Sequence, residues 1–178
     1  MRVLNKKAIS RRSFLKSGTV TALGLTVMGP IVIGKNNAWS ATFKTIGADD
    51  AATLIQMARD TYPHDFLADR FYAKVIEGVE AQAVKDKAFK SMVGKELKKI
   101  NSAAKKKYKA NYKDINRELE RVDILKSNEK SPLFQKIRGD LVVGLYNNKE
   151  VWPKFGYEGE SASKGGYMNR GFNDIDWL

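Results

Sequence analysis

Leu67, Phe71, Val75 and Val79 recur every fourth residue, with Tyr72 and Ile76 beside them. That spacing puts six apolar side chains on one broad helical stripe and is incompatible with the two-residue repeat of a strand. The same period runs through Phe89, Met92, Val93, Leu97, Ile100, Ala104 and Tyr108, then through Ile115, Leu119, Val122 and Leu125. Phe134, Ile137, Leu141 and Leu145 carry it once more, widened by Val142 and Tyr146, behind a Ser131-Pro132 helix start. A shorter helix through Leu54, Ile55, Met57 and Ala58 is expected to be capped by Asp49 or Asp50 and ended by Pro63. No segment alternates as a strand pair would. The pattern predicts an all-α fold: a compact bundle of about five helices, each burying its stripe against the others.

Charge divides the chain before any packing argument does. Residues 1–40 hold seven Lys or Arg and no Asp or Glu, while the other 138 hold 25 basic and 20 acidic side chains. The body is therefore only mildly basic, and it is long enough for a single core. Ser10-Arg11-Arg12-Ser13-Phe14-Leu15-Lys16 matches the twin-arginine pattern S-R-R-x-F-L-K at each defined position. A weakly apolar run from Gly18 to Gly34 follows, then Lys35 and an A-x-S site at Ala38-Trp39-Ser40. Basic, apolar and small-residue regions in that order predict a signal peptide over 1–40, with Arg11, Arg12, Phe14 and Leu15 engaging the twin-arginine translocase. An uncleaved anchor is the alternative. The run from Thr19 to Ile33 is shorter than the roughly 20 residues a span needs, and Pro30 interrupts it.

The body is expected to be one domain over 41–178, with a helical bundle over 41–146 and a wrap over 147–178. The wrap has no helical period and is rich in glycine and aromatic residues. Trp152, Phe155, Tyr157, Tyr167, Phe172 and Trp177 are too apolar for ordinary disorder and are the side chains that anchor interfaces. With Asp174 and Asp176 they form the expected partner-binding set. Those two aspartates lack the further oxygen ligands of a calcium loop and read as docking groups.

Other chemistry is sparse. The absence of cysteine removes thiol nucleophiles, disulfides and cysteine-ligated metals. His64 is the sole histidine. Asp65 could orient it as a general acid–base pair, although a helix-terminal cap is the plainer reading. Lys95, Lys98, Lys99, Lys105, Lys106, Lys107, Lys109 and Lys113 could meet phosphates, but Leu97, Ile100, Ala104 and Tyr108 occupy the opposite side of the same helix. The stretch reads as a solvated face, with an acidic partner or lipid headgroups as minor roles, and no nucleic acid is expected. No dinucleotide, Walker or haem-attachment sequence is present, so any cofactor is expected on a partner.

Tyr62-Pro63-His64-Asp65, Phe71-Tyr72-Ala73, Tyr146-Asn147-Asn148, Val151-Trp152 and Phe155-Gly156-Tyr157-Glu158-Gly159 together resemble the gluconate 2-dehydrogenase subunit 3 family. Gly165-Gly166-Tyr167 and Gly171-Phe172-Asn173-Asp174-Ile175-Asp176-Trp177 are similar to its C-terminal signature. The resemblance spans roughly residues 50–178 and implies a non-catalytic small subunit of a periplasmic sugar, polyol or sugar-acid dehydrogenase. In such complexes a glucose–methanol–choline-type flavoprotein holds FAD and oxidises the substrate. A multihaem cytochrome c subunit, where present, carries electrons onward. The small subunit binds the flavoprotein, aids its maturation and lends it the twin-arginine signal, which places the assembly at the periplasmic face of the inner membrane. The family defines no catalytic or metal residues here. An exported enzyme built on His64 and Asp65, or a freestanding envelope binding protein, are the alternatives.

Overall fold

The computed structural model describes residues 43–169 and 172. Arg11, Arg12, Phe14, Leu15, Asp174, Asp176 and Trp177 lie outside the described residues. Within them are five α-helices and no strand: α1 Ala48–Thr61, α2 Asp69–Lys85, α3 Lys87–Tyr108, α4 Glu118–Ser127 and α5 Pro132–Tyr146. Single 3-10 turns at Tyr112–Asp114, Trp152–Phe155 and Ser161–Lys164 complete them.

The short helix α1 is the centre of the bundle. Every residue from Ala51 to Ala58 is buried, including Thr53 and Gln56, because α2, α3, α4 and α5 all pack on it. Its small residues allow that close approach, and Leu54, Ile55 and Met57 fill the space between the outer helices. Its start differs from expectation. Gly47, at φ 94°, occupies the cap position, and Asp49 and Asp50 sit in the first turn, where their negative charges complement the positive end of the helix dipole. The chain leading into it is pinned from across the bundle. Glu80 on α2 accepts from the Thr45 and Ile46 amides at 2.7 and 2.9 Å.

Helices α2 and α3 are separated by one residue, Asp86, whose carboxylate accepts from the Ala88 and Phe89 amides. That bond satisfies two amides the first turn of α3 would otherwise leave open. Ser131 caps α5 as expected, accepting from the Phe134 amide at 3.2 Å with Pro132 in the first turn. Where α2 and α5 cross, Gly144 leaves room for Val75: a Cβ at residue 144 would fall 2.6 Å from a Val75 methyl.

Val142 and Tyr146, expected to widen the apolar face of α5, are exposed instead, the buried face being Leu133, Ile137, Leu141 and Leu145. Two further features of the core depart from the sequence pattern. Leu119, placed on the stripe of the fourth helix, is 84% exposed, and Ile115 is buried ahead of that helix rather than within it. The inward face of α4 is instead Arg121, Ile124 and Leu125, continued by Asn128 beyond its end. Arg121 is inward because a buried acid waits for it. Its guanidinium meets both oxygens of Asp60 on α1, at 2.8 and 2.9 Å, and donates to the Ile115 carbonyl at 2.7 Å. Tyr112 donates to the same carboxylate at 2.6 Å and Gln56 at 3.0 Å. Four donors around one carboxylate are what a charge requires in this interior. The hydroxyl of Tyr112 has its pKa pushed well up by burial and by the Asp60 charge, so it stays a donor. The second departure is that the core runs past Tyr146, since Val151 is completely buried within it.

Candidate partner-binding surface

The α1–α2 connection and the segment after α5 meet at one end of the bundle. Tyr62 ends the first helix; Tyr72, buried on α2, donates to its carbonyl at 2.7 Å and receives the His64 amide at 3.3 Å. This fixes the path of the Pro63–Asp65 segment and turns the His64 ring toward α5. There Nε2 lies 2.7 Å from the Tyr146 hydroxyl. Burial lowers the His64 pKa and outweighs the opposing charge of Asp65, so the imidazole is neutral at pH 7. Asp65 acts on it only through that charge; the side chain hydrogen-bonded to the imidazole is a tyrosine 82 residues away.

The segment after α5 is tied down by its own chemistry. Val151 plugs the core, the Trp152 indole donates to the Tyr146 carbonyl at 2.7 Å, and the Tyr157 amide returns to the Trp152 carbonyl at 3.0 Å. Gly156 turns the chain at φ 73°, and Gly159 sits at φ 102° beside the Trp152 ring, which a Cβ there would meet at 3.5 Å, an ordinary contact. A side chain at residue 159 would be strained by that φ.

Phe155 is thereby delivered onto His64, ring centroids 4.8 Å apart, and onto Phe66 and Tyr146 at 5.1 and 5.5 Å. Tyr62 extends the cluster, edge-on to Tyr146 at 5.7 Å. Contacts of this kind contribute about 0.5–1.5 kcal/mol each beyond simple burial, enough to hold the rings in place. They do not hide them. Phe66 is 52% exposed, Phe155 37% and Tyr146 36%, and on the outer side of α5 Val142 and Val143 are exposed as well. A groove of about 690 Å³ begins at Tyr62 and runs between α4 and α5, walled by Val122, Leu125 and Phe134 and rimmed by Lys130 and Arg138.

Of the aromatic residues singled out from sequence, Trp152, Phe155 and Tyr157 join this surface. Trp152 and Tyr157 pack edge-on at 5.1 Å, with Tyr157 half exposed. Tyr167 and Phe172 are 61% and 77% exposed and share no ring contact with it. Tyr62, Phe66 and Tyr146 were not assigned to a binding surface from sequence, although aromatic residues flanking Pro63-His64 were a signal that the helix junction presents a ring.

The lysines of α3 and of the segment just after it separate by direction. Lys107 bonds Asp123 of α4 at 2.6 Å and Lys113 bonds Asp49, while Lys95, Lys98, Lys99, Lys105, Lys106 and Lys109 are exposed and without an ion pair among the described residues. No group of three His, Asp or Glu able to hold a metal ion occurs among the described residues, and none of their helices is long and apolar enough to cross a membrane. Comparison with family models, with curated proteins and with solved structures gives no match.

Proposed function

We propose that this chain is the small, non-catalytic subunit of an exported FAD-dependent sugar or sugar-acid dehydrogenase, gripping its flavoprotein partner and taking it through the twin-arginine route. FAD belongs to the partner in this reading, haem c to a cytochrome subunit, and the site of action is the periplasmic face of the inner membrane. One observation carries it: rings from two distant segments are locked together at the end of the bundle yet left open to solvent. Rigid, exposed aromatic side chains gathered at one end of the bundle have the composition of an interface centre. The twin-arginine pattern and the sequence resemblance to small dehydrogenase subunits support the choice of partner.

The test is coexpression of the full chain with a glucose–methanol–choline-type dehydrogenase subunit from the same genome, followed by purification from the periplasm. The wild-type chain is expected to bring down a flavin-containing partner. The double variant Phe66→Ser/Phe155→Ser should keep its helical circular dichroism and lose at least nine-tenths of the partner. A flavin-free solitary monomer from wild type, or full recovery by the double variant, refutes the reading. Point substitutions serve better than truncation after Lys149, because that cut also removes Val151 from the core.

A further inference from the structure

Independently of the dehydrogenase reading, we infer that α3 is a docking face for an anionic lipid bilayer. Lys95, Lys98, Lys99, Lys105 and Lys106 project from one side of the helix, opposite the buried Phe89, Val93, Leu97, Ile100 and Ala104, and Lys109 extends the row at its C-cap. At 1.5 Å per residue the row is about 21 Å long. All six side chains are exposed, and none is ion-paired among the described residues. Ser102 is the residue between them on that side, and Glu96, the sole acid of the helix, lies off the row toward the half-buried flank.

The composition of the row selects its ligand. It holds no aromatic or aliphatic side chain, and lysine is depleted from the centres of protein interfaces, so it lacks the anchor a protein partner needs. Single-stranded nucleic acid needs stacking platforms, which are also missing. A broad band of flexible ammonium groups on a convex helix matches a plane of headgroup phosphates, which asks for charge and no shape. Lys98 is also felt by Asp50, whose carboxyl is pushed up by burial and by Asp49 and drawn back by Lys98 and Lys113. No ion pair among the described residues otherwise compensates the charge of the row. Binding through it would lay the long axis of α3 along the membrane surface.

The measurement is partition of the full chain onto vesicles of phosphatidylcholine alone and with 30 mol% phosphatidylglycerol, at low and moderate salt. The strongly basic residues 1–40 are retained in every sample, so the comparison isolates the helix. A cationic residue near such a surface strengthens binding about fivefold. The variant Lys98→Gln/Lys99→Gln/Lys105→Gln/Lys106→Gln, with unchanged helical signal and melting temperature, is expected to bind the anionic vesicles at least tenfold more weakly than wild type. Neutral vesicles should not distinguish the two proteins, and moderate salt should shrink the difference. A loss smaller than tenfold, an equal loss on neutral vesicles, or tighter binding of wild type to duplex DNA than to anionic vesicles at the same salt overturns the assignment.

Discussion

Replacing Arg121 by methionine tests the buried pair that joins α4 to α1. Methionine fills much of the same volume, so the perturbation is electrical rather than a cavity. It removes two bonds to Asp60 and the bond to the Ile115 carbonyl, leaving a carboxylate with 3% side-chain exposure held by Tyr112 and Gln56 alone. Breaking a buried pair on one side costs about 3–5 kcal/mol. For a domain of this size that corresponds to a fall in melting temperature on the order of 10–20 °C. The assay is thermal and urea unfolding followed at 222 nm. An internal check makes it specific. The double variant Asp60→Leu/Arg121→Met should be less damaged than the sum of the two single variants by about 2 kcal/mol or more, the coupling expected of a direct contact. A loss below about 1 kcal/mol, or additive single variants, would show that the pair is not holding these helices together.

Gly144→Ala should destabilise by about 1 kcal/mol despite alanine's better helix propensity, since its Cβ would fall 2.6 Å from a stiff Val75 side chain; calorimetry of the variant, with Val75→Ala as rescue, checks this. Glu80 gives the wild type an acid-sensitive contact. Burial would raise its pKa, but the amides of Thr45 and Ile46 override that and hold it below the ordinary carboxylate value. A depressed folded-state pKa gives stability that is complete above the unfolded value and lost as pH falls through the folded one. Glu80→Ala should therefore lose about 1–3 kcal/mol at pH 7, a gap that narrows only as pH falls from the ordinary carboxylate value through the lowered folded one, as read from urea midpoints across pH.

Helix existence was legible because period carries it: the stripes of α2 and α3 reappear as buried faces, that of α5 does so without Val142 and Tyr146, which stay exposed, and Ser131-Pro132 starts a helix as its chemistry dictates. The fourth helix was misaligned because a hydrophobic tally cannot count an arginine as inward. Leu119 took the place of Arg121 in the pattern, and only the buried Asp60 explains the exchange. Gly47 displaced the two aspartates as cap for a related reason: the chain must turn at a positive φ to reach Glu80, which no local pattern reveals. The ring cluster was half legible. Phe155 and Trp152 stood out by composition, but their neighbours Phe66 and Tyr146 are brought to them by tertiary contacts.

The ring cluster joins residue 66 to residue 155, so neither half exists as a recognisable shape until the four helices between have closed. A partner that needs both rings side by side would reject the nascent or damaged chain without any separate inspection step. Assembly would then double as quality control, admitting to export only subunits whose folding has finished.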